Sequence, residues 1–296
     1  MKDDISILNF NFKVPNQNDG NNHWNYRKEK VIEYVNSIQP TIIGTQEGVQ
    51  SVLEIFHKGI GEHKYGSFGV ARDAKSFFST KPNEHNQIFY DKSKLEFITG
   101  DTFWLAEDIS KPPKTPGFCG KHNRIVTWAK FQFLKSKKIL FVFNTHLDNK
   151  DIDDLLCETR AKAMDLLIAQ MKIITQQEDD ASAAATSIIV MGDFNSKRDA
   201  YPYQTLIEKN GFSDAWTTAE TREGDVAYSF HDWLGVKNPF ENEDGLEPGC
   251  KQIDFITYYP KSIQVQKTAV VTEKWTSHGE DRYLSDHFPI LSYMSI

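Results

Sequence analysis

Short apolar segments rich in β-branched and aromatic residues recur along this chain, and polar side chains able to bind a metal ion or a phosphate follow them. The first segment, Ile5–Phe12, contains Asn9 and Asn11, and Glu47 follows the second, Thr41–Thr45. A β-rich fold that gathers its strand ends at one edge would bring such side chains together. The later segments carry His146 and Asp148, Asp193 and Asn195, Asp254, and Asp286 with His287.

The apolar periodicity also predicts helices between the strands. Residues at helical spacing indicate helices over Arg27–Ile38, Val49–Ile60 and Thr159–Ile174, and a shorter one over Tyr203–Lys209. Strands outnumber helices and the two alternate in mixed order, which predicts an α/β protein of stacked sheets with outer helices. The further predicted strands are Gln87–Tyr90, Leu95–Thr99, Ile125–Leu134, Lys138–Asn144, Ser187–Met191, Ile253–Tyr258, Ile263–Val271 and Phe288–Tyr293.

The length and net charge of the chain limit the kinds of protein that it can be. No linker divides the 296 residues, so we expect a single domain over residues 1–296 that buries one large core. The 34 Lys and Arg residues against 41 Asp and Glu residues give a formal charge of −7. This balance argues against a protein that coats nucleic acid, because such binding depends on neutralising many phosphates. Since we find no membrane-spanning apolar segment and no signal segment, we expect a cytoplasmic monomer without membrane insertion.

The segment GDFNS at 192–196 places a carboxylate and an amide two residues apart. In extended backbone, side chains at this spacing point to the same side. Asp193 can then take a proton from water while Asn195 holds that water or a phosphate. Gly, Asp, Asn and Ser also form turns, so this segment alone is equally consistent with a structural turn.

The other polar positions indicate a functional site only when they are considered together. A lone histidine such as His146 is more often structural, and Asp286 and His287 share a site only where the backbone is irregular, because adjacent strand residues face opposite sides. Several strand-end segments carrying acids, amides and histidines together are nevertheless hard to explain in a purely structural protein. Oxygen ligands, with three cysteines scattered at no metal-site spacing, favour Mg²⁺ or Mn²⁺ over Zn²⁺. The GxSxG, GxxxxGK[ST] and HExxH motifs are absent from the sequence.

The ordered set NFNFK, TQEG, NTHLDN, GDFNS, QIDF and SDHFP resembles the motifs of the endonuclease/exonuclease/phosphatase superfamily over about residues 5–294. The segments NQIFYD, GDTFWLAED and RIVTWAKF resemble its compact bacterial-type members. The resemblance implies a four-layer α/β/β/α sandwich, in which two mixed sheets pack together and helices cover the outside. It also implies an Mg²⁺- or Mn²⁺-dependent phosphoesterase that hydrolyses a phosphodiester or phosphomonoester by in-line attack of an activated water.

The same resemblance implies metal-side positions for Asn11, Glu47 and Asp286, with Glu47 as a direct ligand. Two positions depart from the usual family pattern. Asn9 stands where Thr or Ser is common, and Gln252 stands where Arg is common before Asp254. The first change is small, whereas the second is expected to alter contacts to phosphate or backbone near the site.

Catalytic roles are implied by the resemblance as well. Asp193 matches the acid that activates or orients the attacking water. His287, paired with Asp254, matches a His–Asp dyad that either activates water or stabilises the developing charge, so Asp193 and His287 both remain candidates for the base. Arg124 is assigned from context alone, and an Arg on a strand is more often a surface ion-pair partner. The resemblance implies that Asn195 and His146 bind the phosphate and act in catalysis, and the context adds Arg124 as a third phosphate-binding residue.

Loops set the substrate preference in a superfamily of this kind. The predicted loops Lys64–His85, Lys111–His122 and Asp225–Gly249 lack a dense basic patch, and Glu241–Gly245 is acidic. This favours a small phosphate ester or a short nucleic acid over duplex DNA. Two alternatives remain, an exonuclease or endonuclease acting on DNA or RNA, and a non-catalytic binding module that keeps the fold. The intact set of acids favours an enzyme, because clustered carboxylates are costly without a partner.

Overall fold

The computed structural model describes residues 2–73, 82–151, 153–176, 186–224, 226, 228–236, 251–277 and 279–296. Within these ranges most strands belong to two large mixed sheets. In chain order the strands are β1 (Asp4–Asn11), β2 (Ile42–Val49), β3 (Tyr65–Phe68), β4 (Glu84–Asp91), β5 (Leu95–Trp104), β6 (Ile125–Phe133), β7 (Ile139–His146), β8 (Thr186–Asp193), β9 (Ser213–Asp214), β10 (Thr221–Glu223), β11 (Asp254–Tyr259), β12 (Gln264–Val270), β13 (Lys274–Ser277), β14 (Glu280–Tyr283) and β15 (Ile290–Ser295).

Three longer helices and several short turns connect these strands. Helix α1 begins where the His23 side chain accepts from the Asn25 backbone N–H, and it ends at Gln39, which adopts the left-handed conformation before Pro40. The helices of the described residues are α1 (Trp24–Ile38), α2 (Gln50–Ile60), α3 (Glu158–Thr175), α4 (Tyr201–Gln204) and α5 (Ala215–Thr218), with 3₁₀ turns at Gln17–Asn22 and Gly117–Cys119 and a π turn at Thr205–Lys209.

The sheets combine parallel and antiparallel pairs. The first sheet runs in the order β10-β12-β15-β1-β2-β4-β3, and the second runs β5-β6-β7-β8-β11-β9. Strand β1 is parallel to β2 and antiparallel to β15, while β7 is parallel to β8 and β8 antiparallel to β11. The strands that carry the polar ends therefore occupy the middle of each sheet.

Three apolar clusters hold four layers together. One cluster lies between the sheets and includes Ile7, Ile42, Phe131, Val142 and Ile189. A second packs α1 and α2 on the outer face of the first sheet, and a third packs α3 on the outer face of the second. Burying these side chains contributes roughly 1.5–3 kcal/mol each. The predicted α/β fold, a four-layer α/β/β/α sandwich of two packed mixed sheets with outer helices, is confirmed.

Buried amides join the two sheets near the ends of β1, β2 and β7. The Gln46 Nε2 group donates to Asn9 Oδ1 at 2.9 Å and to Asn144 Oδ1 at 2.7 Å. The Asn144 Nδ2 group in turn donates to the carbonyl oxygens of Thr45 and Gln87. Because buried polar groups are costly unless paired, this network fixes how the two sheets meet.

Several predicted boundaries are wrong. Lys64–His85 is not one loop, because it contains β3 and the first residues of β4. The last strand begins at Ile290 and not at Phe288, and the predicted helix Tyr203–Lys209 begins at Tyr201 and continues as a π turn. The short strands β9, β10, β13 and β14 lack the apolar runs on which the sequence prediction depended.

Some predictions concern residues that the structure does not describe. Most of the predicted loop Asp225–Gly249 lies outside the described residues, as does the acidic segment Glu241–Gly245 within it. Within the described part of the chain, no helix is long and apolar enough to cross a membrane.

Candidate active site

Strand register in the second sheet brings three polar positions to one edge. His146 at the end of β7 pairs with Asp193 at the end of β8, and Asp193 pairs with Asp254 at the start of β11. All three residues are buried. Because β11 runs antiparallel to β8, the first residue of β11 lies at the same edge as the last residues of β7 and β8. The polar residues that the sequence places at the ends of these three strands therefore form one cluster in this sheet.

Glu47 reaches the same edge from the first sheet through a backbone irregularity. The pairing of β2 with β4 shifts register between Thr45 and Gly48, and Glu47 lies inside this bulge with φ 61°. A non-glycine residue in this left-handed region costs roughly 1–2 kcal/mol, a strain that concentrates at functional sites. Glu47 thus lies within β2 and not after the strand, and the bulge redirects its carboxylate.

The Glu47 carboxylate is held on both oxygens. Its Oε1 accepts from the Asn11 Nδ2 group at 3.0 Å and its Oε2 accepts from the Val14 backbone N–H at 2.8 Å. Burial alone would raise the pKa of Glu47. The ammonium of Lys13 and these hydrogen bonds outweigh burial and lower the pKa below its ordinary value. Glu47 is therefore ionised and available to a cation.

Asn11 bridges two carboxylates in this structure. Its Nδ2 group donates to Glu47 Oε1 and also to Asp193 Oδ2 at 3.1 Å, while its Oδ1 accepts from the Lys13 backbone N–H at 2.9 Å. The amide oxygen thus faces the backbone. This arrangement positions the two acids, and the role of Asn11 as a metal ligand stays a prediction.

Asp193 is the centre of the cluster. Its Oδ2 lies 3.4 Å from His146 Nε2 and 3.9 Å from His287 Nε2, and its Oδ1 accepts from the Asn195 backbone N–H at 2.8 Å. Burial, followed by the charge of Asp254, raises the pKa of Asp193 to about 7. A carboxylate with such a pKa is suited to accept a proton near neutral pH.

His287 and Asp254 form the expected dyad. His287 Nδ1 lies 2.8 Å from Asp254 Oδ2, and both side chains are buried. Burial lowers the pKa of His287, but the adjacent Asp254 carboxylate more than compensates and raises it to about 10. His287 precedes β15 and forms an isolated bridge with Phe230, so the irregular backbone that a shared site requires is present.

Asp286 faces the other side of the cluster and is paired with a residue that the sequence did not single out. Its Oδ2 lies 3.0 Å from Lys13 Nζ. Burial lowers the pKa of Lys13, but the carboxylates of Asp286 and Glu47 outweigh it and raise the pKa above its usual value. Lys13 has φ 57°, and nothing in its local sequence marks it as a site residue.

The remaining predicted residues lie on the His146 side of the cluster. The Asn195 Nδ2 group donates to the Leu147 carbonyl oxygen at 2.9 Å, with Asn195 at φ 46°. Arg124 is buried, not on the surface, and lines the same cleft as Asp193 and His146. Burial, with nearby Arg124 among the other causes, holds the pKa of His146 well below its ordinary value, so its imidazole is neutral. The sequence missed Arg72, which also lines this cleft.

The cleft has a volume of about 370 Å³. Ligand atoms of Glu47, Asp193 and His287 lie within 4.8 Å of one another at its base. Two carboxylates with neighbouring amides form an oxygen-rich donor set, which suits Mg²⁺ or Mn²⁺ better than a sulfur-preferring ion. The residues present therefore fit a divalent cation held chiefly by Glu47, with Asp193 beside it.

Comparisons with known proteins find a matching family model and similar solved structures. The model of the Endonuclease/Exonuclease/phosphatase family matches residues 8–287. The crystal structure of the endonuclease/exonuclease/phosphatase from Bacteroides vulgatus has a TM-score of 0.79 and 28% identity, covering 99% of this chain and 98% of that one. A mannosyl-6-phosphatase from Bacteroides thetaiotaomicron has a TM-score of 0.82 and 23% identity, covering 98% and 99%.

A curated relative is considerably longer than this chain. The CCR4-Not complex 3'-5'-exoribonuclease subunit Ccr4 of Candida albicans is 24% identical over 91% of this chain. That match covers 37% of the relative, so the chain spans little more than a third of its length.

Proposed function

The chain belongs to the endonuclease/exonuclease/phosphatase family, and from this premise we propose that it is a divalent-metal-dependent phosphoesterase. Members of the family hydrolyse phosphoester bonds. The observation that carries the proposal is the convergence of Glu47, Asp193 and His287, whose side-chain oxygen and nitrogen atoms lie within 4.8 Å of one another in an open cleft. The reaction is an in-line attack of an activated water on phosphorus.

Glu47 holds the metal ion in this proposal, with Asp286 as a further acid on that side. A bound Mg²⁺ or Mn²⁺ supplies positive charge that polarises a phosphoryl oxygen and stabilises the leaving oxygen. Asn11 keeps the carboxylates of Glu47 and Asp193 at a fixed separation by donating to both. Lys13 neutralises Asp286, which limits repulsion among the clustered acids.

Asp193 is the better candidate for the base. With a pKa of about 7 it is substantially ionised at neutral pH, whereas His287, with a pKa of about 10, is protonated. A protonated imidazole cannot accept the proton of water, but its charge stabilises negative charge that grows on the phosphoryl group. The Asn195 backbone N–H orients the Asp193 carboxylate through Oδ1. Asp254 keeps His287 charged.

Phosphate binding falls to the residues on the other side of Asp193. The His146 imidazole and the Arg124 guanidinium line the cleft together with Asn195. Donors fixed in a buried site stabilise transition-state charge without reorganisation, and losing one typically costs about 10²- to 10³-fold in rate.

The substrate we propose is a small phosphate ester or a short nucleic acid. The structural similarity to a mannosyl-6-phosphatase over nearly the full chain supports a small ester. A nuclease is the second candidate, because the match to an exoribonuclease subunit covers 91% of this chain. A binding module is disfavoured, since burying Asp193 and Asp254 beside the half-buried Glu47 is costly without a charged ligand.

A substrate panel tests this proposal. Short single-stranded DNA and RNA, sugar phosphates and aryl phosphate mono- and diesters are incubated with the enzyme in Mg²⁺, Mn²⁺ or EDTA. We expect turnover that requires the metal and falls at least about 100-fold in Asp193→Asn and Glu47→Gln. The exposed Asp199→Asn is the matched control. Turnover that persists in EDTA or in both variants would refute the proposal, and a folded protein inactive on the whole panel would favour a binding module.

A further inference from the structure

Arg124 is a buried cation with an incomplete set of partners. Its side chain is 7% exposed, and its Nε has no hydrogen-bond partner among the described residues. The nearest carboxylate oxygen, Asp148 Oδ2, lies 3.7 Å away and already accepts from the backbone N–H groups of Lys121 and His122. A buried guanidinium left in this state costs several kcal/mol. Its position in the cleft wall makes a ligand the natural partner.

A second arginine lines the same cleft. Arg72 is 9% exposed, and its backbone is fixed because its N–H donates to the Glu84 carbonyl oxygen and its own carbonyl oxygen accepts from Trp104 Nε1. Its Nη1 donates to Glu84 Oε2 at 2.7 Å, and its Nε contacts Asp73 at 3.4 Å. A guanidinium has five N–H donors, so these two contacts leave donors for a ligand.

The two arginines and His146 line the same cleft. Burial, followed by the charge of Arg72, lowers the pKa of Arg124, which shows that the two cations repel each other. Glu84 accepts from Arg72, and Asp148 Oδ2 lies beside Arg124, so each arginine has a carboxylate near it. The unpaired Nε of Arg124, and not a surplus of positive charge, therefore points to an anionic ligand.

We propose that Arg72 and Arg124 form an anion subsite beside His146 that recognises the dianionic terminal phosphate of a phosphomonoester. This inference rests on the proposed phosphoester hydrolysis and names its substrate class. A phosphomonoester loses its second proton with a pKa of about 6 and then carries up to two charges on three terminal oxygens. A phosphodiester carries one negative charge and has only two terminal oxygens. Planar guanidinium groups match such oxygens with paired hydrogen bonds, so the third oxygen and the second charge are what this subsite distinguishes.

The test compares two substrates with the same leaving group, p-nitrophenyl phosphate and bis-p-nitrophenyl phosphate, in the metal-loaded enzyme. We expect Arg72→Gln to lower kcat/KM about 100-fold for the monoester and less than about 5-fold for the diester. Arg124→Gln should lower kcat/KM for both esters, because Arg124 also serves general phosphate binding, but by at least about 10-fold more for the monoester. Arg72→Lys and Arg124→Lys keep the charge and remove the planar fork, so they guard against a folding defect and should show an intermediate loss of monoester activity. The exposed Arg222→Gln is the control.

A binding measurement separates this inference from the proposed function. Inorganic phosphate is titrated calorimetrically into the wild type and the four variants, after melting curves show that each is folded. We expect at least about 10-fold weaker binding in both Gln variants. Equal losses on the two esters, or unchanged phosphate affinity, would overturn the subsite. Phosphate binding that depends on both arginines without turnover of either ester would support the subsite and refute the proposed hydrolysis.

Discussion

Asp193 and His287 have side-chain atoms 3.9 Å apart, and their environments keep them in different protonation states. Burial raises the pKa of Asp193 to about 7, whereas the Asp254 carboxylate, acting against burial, raises that of His287 to about 10. Between these values Asp193 is ionised and His287 is protonated. At the scale of single residues, the site therefore pairs a proton acceptor with a fixed positive charge.

Replacing Asp254 tests this assignment. If protonated His287 is the active form, activity falls as pH rises through about 10. In Asp254→Asn the effect of burial on His287 loses its largest opposing charge, with only Asp286 and Asp193 remaining, so the pKa of His287 falls. We expect the alkaline limb of kcat/KM to move to lower pH and the rate at mildly alkaline pH to fall about 100-fold. A pH profile of each protein is the measurement. An alkaline limb that does not move would mean that the charge of His287 is not required.

At the scale of elements, the site depends on the register between β7 and β8. Gly192 has φ 149°, and a Cβ built on it would lie 1.9 Å from the Thr145 carbonyl oxygen. This close approach lets the end of β8 lie against β7, which places Asp193 opposite His146. A glycine is required here for space as well as for its backbone conformation.

Gly192→Ala should therefore destabilise the protein by about 3 kcal/mol or more, because the β7 backbone must move. Gly211 has φ 74° with nothing within 4 Å of a built Cβ. The control Gly211→Ala thus introduces only backbone strain, roughly 1–2 kcal/mol. Urea unfolding of the three proteins gives the comparison. Equal losses in the two variants would show that the contact with Thr145 is unimportant.

Asp148 ties two loops together beside the cleft. Its Oδ2 accepts from the Lys121 and His122 backbone N–H groups, and its Oδ1 accepts from that of Lys150. Burial raises the pKa of Asp148, but Arg124 and these N–H groups outweigh it and lower the pKa below 3.8. A depressed pKa in the folded state means that the carboxylate stabilises the protein above pH about 4, and that this stability is lost at lower pH.

We expect Asp148→Asn to lower the free energy of unfolding by about 2 kcal/mol at neutral pH. The loss should shrink as the pH falls below about 4, where the wild-type carboxylate becomes protonated and its advantage disappears. Urea unfolding of the wild type and the variant between acidic and neutral pH measures this loss of free energy, with the exposed Asp199→Asn as control. A loss that is the same at acidic and neutral pH would contradict the electrostatic explanation.

At the scale of the whole molecule, the sequence predicted those features of the fold and the site that depend on a local pattern of residues. Apolar strands that end in polar residues predicted stacked sheets with outer helices and marked Glu47, Asp193 and His287 as candidates, because the ends of neighbouring strands meet at one edge. The four-layer sandwich and the roles of these residues came from the resemblance to the family. Lys13 and Arg72 lie outside regular strands and were missed. Their positions depend on a positive φ and on the isolated bridge between Ala71 and His85, which no local pattern encodes. A monomeric state and a cytoplasmic location stay predictions from the sequence.

The most direct test of metal-dependent attack of water on phosphorus is hydrolysis in ¹⁸O-labelled water. The best substrate of the panel is incubated with the enzyme and Mg²⁺ or Mn²⁺, and mass spectrometry measures the ¹⁸O content of each product. The proposal predicts that the label enters the phosphate product and not the alcohol, that EDTA abolishes labelling, and that Asp193→Asn slows it at least about 100-fold. Label in the alcohol, or labelling that persists without metal, would contradict the account.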